Sequence, residues 1–523
     1  MASKEESIID ATEPAVPRSL PVPLDGSFKY EYVHRFVPKS NFGLTFVVIL
    51  ASIVDSFSQG YDGSLMGSLN AMPPYVDYFA NTSEAMASFR TAATYIGGIV
   101  ALFLMPYYAN VRGRLECMFI AFLFVILGGG IQGGAHNTGM FIAGRIIIGV
   151  GTGIAAVSAI PYITETSTDK WRPFAQGMYY TCWYVGTLVA AGICYGTEDM
   201  NTNWSWRIPS LLQCAPAVMA IGVIMFLPAS PRWLLYKGRH RDAYEVFTIL
   251  YGNGDPANEE VKAHYIEALE TIEFERSSGK QMDVRGLFST WGNFRRTGLA
   301  MSTSVITMLS GSNIVTYYFS TMLEQAGVTS SHTQLEINVI LSAFCLVIAV
   351  VGSHAAVYIG RKPLVLWSLG TSTIFLYMFG GLSARYGNSD NKSGIYGTIA
   401  CMFLFNGAYS FGQTPISSMY PAEVLSYSMR SAGTGVTFVV AKGCGLLVTF
   451  AFPYAMDKLG WKIYMINSSF NVLCFIFVYF CWVETHNKTL EEIDEMFDGK
   501  THFELPDELE MLESQRVVYE PKL

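Results

Sequence analysis

The sequence predicts an all-α membrane protein, twelve transmembrane helices in two six-helix bundles with short cytosolic amphipathic helices between them. Three observations carry that expectation. Charged residues make up 15% of the 523, against about 25% in ordinary soluble proteins, while aromatic residues reach 14% and mean hydropathy is +0.30. Twelve apolar stretches approach the roughly 20 residues that cross hydrocarbon. Charged marks also repeat: Glu165 and Arg172 follow a long apolar stretch, Glu423 and Arg430 recur at the same spacing, and Gly113-Arg114 returns as Gly360-Arg361. Duplicated membrane halves with a site at their interface characterise secondary transporters.

Taken in order, residues 1–41 have no apolar core, so no cleavable signal peptide is expected. Their Pro, Ser and acidic content predicts a disordered cytosolic tail. Spans one to six fall near 42–67, 91–111, 115–134, 139–163, 173–196 and 207–227, within an N-terminal bundle of residues 42–231. A polar stretch, 232–296, follows as a cytosolic linker. In it Asp255-Pro256 looks like a helix cap with Pro at the first helical position. Val261, Tyr265, Leu269 and Ile272 then keep helical spacing, so short helices under the bundle are expected, with a plain solvated linker as the alternative. Spans seven to twelve fall near 297–323, 335–358, 363–383, 394–421, 431–456 and 462–483, within a C-terminal bundle of 297–484; residues 485–523 form a cytosolic tail.

Arg112, Arg114, Lys170, Arg172, Arg361, Lys362 and Arg430 fall in even loops, and the loops near 135–138 and 324–334 hold no Lys or Arg. That bias places both termini in the cytosol of a multi-pass protein, expected in the plasma membrane. Sequons at Asn81, Asn203 and Asn391 lie in outer loops and are glycosylation candidates. The nine cysteines all lie inside apolar runs without ligand spacing and are packing residues. No metal, cofactor or nucleic-acid partner is expected. No nucleophile–base set suggests an enzyme.

Five motifs in order give the chain a family resemblance. Gly60-Tyr-Asp62, Gly144-Arg145 with Gly149, Gly151 and Gly153, Pro228-Ala-Ser-Pro-Arg-Trp-Leu234, Ser310-Gly-Ser-Asn313 with Tyr317-Tyr318, and Val483-Glu-Thr-His-Asn-Lys-Thr-Leu-Glu-Glu-Ile493 resemble the marks of the sugar porters of the major facilitator superfamily. The wording of span one is most similar to fungal hexose and lactose permeases. The resemblance implies the major facilitator fold and alternating access.

An ionised residue at mid-membrane costs several kcal/mol, roughly 3 on insertion scales, so Asp62 and Arg145 each need a partner or a function. The resemblance pairs them as the proton-coupling residues. It also makes Glu165, Arg172, Arg232, Glu423, Arg430 and Glu484 a cytosolic gate. The Gly-Arg loops lack the acid of the family's pattern, which puts a charge relay there in doubt. Tyr180, Thr307, Ser310, Asn313, Tyr317, Tyr318, Ser418 and Lys442 fall at substrate-binding positions. Several depart from the family: Thr307 and Tyr180 stand for glutamines, Cys345 for an asparagine, Ser418 for a tryptophan, and Ala441-Lys442 for Asn-Trp. Lys442 meets an anionic or carbonyl group on the substrate, or it pairs with Asp55 or snorkels toward an edge. His354 is expected to be a hydrogen-bonded core residue.

The expected function is therefore proton-coupled symport of a sugar or sugar-like polyol, with the substrate, the proton and the bilayer as partners. The alternatives are a carrier or exporter of an organic acid or secondary metabolite, and a non-transporting nutrient sensor.

Overall fold

The computed structural model describes residues 31–33, 36–80, 84–168, 171–277, 284–387, 389, 391–425, 430–486 and a few positions up to 497. The side chains of Tyr180, Ser418 and Arg430 fall outside that description, as do residue Asn81 and both outer tails. Span one is α1 (Asn41–Asn70), and a short α2 (Pro73–Tyr78) follows it. Spans two to five are α3 (Glu84–Arg112), α4 (Arg114–Gly133), α5 (Thr138–Thr166) and α6 (Arg172–Thr197). Span six divides at Gln213 into α7 (Trp204–Leu212) and α8 (Cys214–Ile224). The linker carries α9 (Pro231–Tyr236), α10 (His240–Gly252), α11 (Glu259–Ser277) and a 3-10 turn at Val284–Phe288.

In the second half, span seven is three helices, α12 (Trp291–Leu309), α13 (Ser312–Tyr317) and α14 (Phe319–Gln325). Then come α15 (Ser331–Tyr358), α16 (Arg361–Tyr386), α17 (Lys392–Val424), α18 (Arg430–Leu459) and α19 (Lys462–Cys481). Nine helical segments among the described residues, α7 and α8 counted together as one, are long and apolar enough to cross a membrane. The remaining spans are α6, the broken α12–α14 and α17, which makes the twelve of two six-helix bundles. Within the first half α3 and α4 pack on α5, and α1 packs on α6. The halves meet along two seams, α3 with α18 and α6 with α15.

The linker helices are amphipathic, as the spacing predicts: Val261, Tyr265, Leu269 and Ile272 are all buried. The cap differs from expectation. Asp255 closes an Asx turn by accepting from Ala257 N at 2.9 Å, and Asn258 caps α11 by accepting from Glu260 N at 2.9 Å. Pro256 therefore sits ahead of the helix, where its missing N–H costs nothing.

Residues 31–33 and 36–40, assigned by composition to the tail, pack instead. The Glu245 carboxylate, fully buried on α10, accepts from the backbone N–H groups of Glu31, Tyr32 and Val33 at 3.0, 3.0 and 3.1 Å. Arg241 pairs with Glu31 at 3.0 Å, Arg239 lies 4.7 Å over the Tyr32 ring, and burial pushes the Tyr32 phenol pKa up. Three short-range backbone donors converging on one distant carboxylate leave no periodic trace in a sequence. Glu245→Ala strands those donors at about 1–3 kcal/mol. The expected outcome is faster limited proteolysis between residues 31 and 40 with the spans intact, read by mass spectrometry of the cleaved chain.

Span seven breaks for a local reason. Gly311 adopts φ +109°, a left-handed conformation that Ser310 and Ser312 do not share. The carbonyls released by the break find side-chain donors: Asn467 Nδ2 reaches Leu309 O at 2.8 Å, Asn471 Nδ2 reaches Ser310 O at 2.8 Å, and Asn313 Nδ2 reaches Met308 O at 2.9 Å. Irregular backbone inside a membrane is sustained only where protein groups satisfy it in this way.

Candidate functional site

The first half brings its two intramembrane charges together. On α5, Gly149 lies so near α3 that a Cβ there would stand 2.1 Å from Thr94 O. This backbone contact carries Arg145, one turn away, against Thr91 and Tyr95. Arg145 Nη1 donates to Asp62 Oδ1 on α1 at 3.1 Å, and Nη2 reaches Thr91 O at 3.5 Å. Both residues are buried, and Arg145 Nε has no hydrogen-bond partner. The guanidinium is thus held by one carboxylate and a long backbone contact, with donor capacity unused.

Tyr95 links this pair to the other half. Its hydroxyl meets Tyr317 Oη at 3.1 Å, the two rings crossing edge to face with centroids 6.0 Å apart. The Lys442 ammonium, from α18, lies 5.7 Å from the Tyr95 ring centroid. It does not pair with Asp55. That carboxylate is buried on α1 and accepts from Tyr179 Oη at 2.8 Å and Gln59 Nε2 at 3.1 Å, which supply the compensation a lysine would have supplied. His354 is exposed rather than core, edge-on to the ring of Tyr358 at 5.2 Å.

A cavity of about 50 Å³ lies between the halves, lined by Ser64, Thr187, Ser312, Thr316, Asn338 and Asn406 among its polar groups, with Trp183, Tyr184 and Cys345 beside them. Of the substrate positions named from sequence, Thr307, Ser310, Asn313, Tyr317, Tyr318 and Lys442 do not line it, and the side chains of Tyr180 and Ser418 lie outside the described residues. Thr307 and Ser310 hydrogen-bond to backbone one turn back, Asn313 holds the break in span seven, and Tyr318 Oη donates to Thr449 O. Tyr317 is one residue from the lining. The residues that do line the cavity are Ser, Thr and Asn on apolar helices, types that usually serve helix packing; only the alignment of Cys345 with a family asparagine marked the right face.

The charged marks at the Gly-Arg end form two matching clusters. Arg114 pairs with Glu165 at 3.3 Å, and Ser230 donates to the same carboxylate. Arg361 pairs with Glu423 at 2.7 Å, and Thr485 Oγ1 donates to it at 2.6 Å. Glu484 caps α16, accepting from Arg361 N and Lys362 N at 2.9 and 3.0 Å. The Gly-Arg loops, doubted for want of a local acid, therefore take their acids from spans four and ten. Arg172 reaches Thr164 O at 3.1 Å and Ser167 O at 3.4 Å, and Arg232 is half-buried beside the first cluster's Ser230 in sequence.

Among the described residues, hydrogen bonds between the halves gather away from these clusters. Asn70 Nδ2 reaches Tyr317 O at 3.3 Å, Asn338 Nδ2 reaches Ser68 Oγ at 3.0 Å, and Ser331 donates to Glu198 at 2.5 Å. Tyr184 meets Ser410 at 2.7 Å in the middle, and the contact nearest the Gly-Arg end joins Thr181 to Ser353 at 2.9 Å. The molecule is closed at the end opposite the charged clusters. Asn203 and Asn391 are exposed at that closed end; Asn391 caps α17 through Oδ1, not through the amide nitrogen that a glycan occupies.

Two repeated helical halves around a polar cavity, with an ion pair buried beside it, define a membrane transporter of the major facilitator fold. The chain belongs to the sugar (and other) transporter family, whose model matches residues 47–497. It is similar to a high-affinity glucose transporter of Kluyveromyces lactis, 26% identical over 475 residues that cover 86% of this chain and 85% of that protein. A high glucose sensor of Saccharomyces cerevisiae, RGT2, is 28% identical over 472 residues, 85% of this chain and 59% of its own length. In fold the chain is similar to the proton:xylose symporter XylE bound to 6-bromo-6-deoxy-D-glucose, at TM-score 0.73 and 21% identity, covering 87% of this chain and 100% of that one.

Proposed function

We propose that this chain is a proton-coupled symporter of a sugar or sugar-like polyol, working by alternating access. The buried Asp62–Arg145 pair at 3.1 Å carries the proposal. An intramembrane acid that is only partly exposed, and matched by a single cation, is suited to take up and release a proton. Protonation removes its charge, frees Arg145, and alters the balance between open states. The hydroxyls of Ser64, Thr187, Ser312 and Thr316 and the amides of Asn338 and Asn406 around the cavity suit a polyhydroxylated cargo, and Trp183 and Tyr184 offer aromatic faces. At about 50 Å³ the cavity admits a few waters, so a sugar enters only as the halves part.

In this proposal the Gly-Arg end faces the cytosol with both termini, the membrane is the plasma membrane, and residues 42–231 and 297–484 are the rocking units joined by the 232–296 linker. Glu165, Arg172 and Arg232 with Glu423, Arg430 and Glu484 act as the cytosolic gate, and the set together tilts a near-balanced equilibrium. Lys442 favours one second reading, an organic acid as cargo. The test is uptake into proteoliposomes across sugars, polyols and organic acids, with internal pH recorded. Solute entry accompanied by internal acidification is expected; entry of a sugar with no proton movement would remove the coupling.

A further inference from the structure

Lys442 lies mid-way along α18, inside the membrane-spanning part of the chain. Its stem packs on α3: a Cβ on Gly98 would stand 3.3 Å from Lys442 Cδ and Cε, so the stem runs close against the glycine. The ammonium ends 5.7 Å from the Tyr95 ring centroid. A cation over an aromatic face contributes about 0.5–2 kcal/mol, less than the roughly 3 kcal/mol that a mid-membrane lysine costs. No carboxylate among the described residues pairs with it: Asp62 is taken by Arg145, and Asp55 by Tyr179 and Gln59.

The charge balance follows. Arg145 pairs with Asp62, Asp55 is held by neutral donors on α1 and α6, and among the described residues Lys442 has no carboxylate of its own. When Asp62 takes a proton, the positive charge on this side of the molecule rises by one. Positive charge at low dielectric is expensive unless a negative charge joins it. Tyr95, whose ring lies beneath the ammonium, meets Tyr317 hydroxyl to hydroxyl at 3.1 Å, and Tyr317 adjoins Thr316 of the cavity wall in sequence.

We infer that Lys442 receives a carboxylate on the cargo, so that the substrate is a sugar acid rather than a neutral sugar. This rests on the symport proposal and names its substrate class. The hydroxyls of such a molecule meet the Ser, Thr and Asn of the cavity, and its carboxylate supplies the missing counter-charge. Proton and anion then enter together: each makes the other's binding less costly, and their joint transfer carries no net charge.

The experiment is counterflow exchange in proteoliposomes holding the full chain, with D-glucose, D-glucuronate and D-gluconate as labelled probes. The wild type is expected to exchange one of the two acids well above D-glucose. Lys442→Gln is expected to lower acid exchange at least about tenfold, as for any intramembrane charge partner removed, and Lys442→Arg to restore most of it. If Lys442→Gln fails to assemble, the wild-type preference between acid and neutral probe still decides. Exchange of D-glucose with the acids excluded, unchanged in Lys442→Gln, would overturn the inference and leave symport standing. Acid exchange that persists in Lys442→Gln also overturns it. Acid entry without internal acidification would instead remove the symport proposal.

Discussion

Asp62→Asn is expected to cut concentrative uptake at least about tenfold, a loss of ~1.4 kcal/mol or more of accumulation, while counterflow exchange continues near the wild-type rate. The amide is nearly isosteric but uncharged, so it releases Arg145, now 3.1 Å from the carboxylate, as the protonated acid does. The variant therefore resembles the protonated state permanently. It can rock with cargo in both directions but has no proton to carry. A purely structural pair predicts something else. Arg145 is fully buried with Nε already unpartnered among the described residues, where Thr91 O at 3.5 Å is its only other acceptor. Breaking a buried ion pair that existed only for stability costs about 3–5 kcal/mol, so exchange and membrane-inserted protein would fall together. Uphill uptake and exchange are compared at matched protein levels. Concentrative uptake that survives with its pH dependence intact would take Asp62 out of the proton path.

The fold was legible in the sequence to the extent that it depends on one-dimensional patterns. Hydropathy marked the twelve spans, and helical spacing marked α11, because both are properties of neighbouring residues. Glu165 and Glu423 were recognised as repeated acids, yet their partners Arg114 and Arg361 come from loops some fifty to sixty positions away. Local spacing showed only Arg172 and Arg430 beside these acids, since a sequence pattern shows periodicity and not which distant ends a bundle gathers. The break at Gly311 was hidden for a different reason. Glycine is common in membrane helices, and only its φ distinguishes a hinge from a packing contact. The cavity was hidden most of all: Ser64, Ser312 and Thr316 look like any small polar residues on an apolar helix, and their facing across two bundles exists only in three dimensions.

Gly67→Ala is expected to arrest transport while leaving the protein folded and inserted, and Gly60→Ala to reduce the amount of folded protein instead. The two glycines sit seven residues apart on α1, and both touch backbone. A Cβ on Gly60 would stand 1.9 Å from Trp183 O, which belongs to α6 of the same half. A Cβ on Gly67 would stand 2.1 Å from Thr316 O, which belongs to α13 of the opposite half. Neither obstacle is a flexible side-chain tip, so in each case helices must separate. Separation within a half opens packing that every conformational state shares, at about 1–3 kcal/mol for overpacking. Separation between halves costs the same amount only in the state where that end is closed, where Asn70 meets Tyr317 and Asn338 meets Ser68. A penalty of that size in one state shifts a balanced two-state equilibrium by roughly five- to 150-fold toward the other. Gly67→Ala should therefore accumulate with its outer end open. A cysteine-reactive probe at Ser68→Cys, added from that side, would label it faster than the otherwise wild-type chain, and transport would be lost in proportion. Equal labelling rates with transport intact would mean that α1 and α13 do not close this end during the cycle.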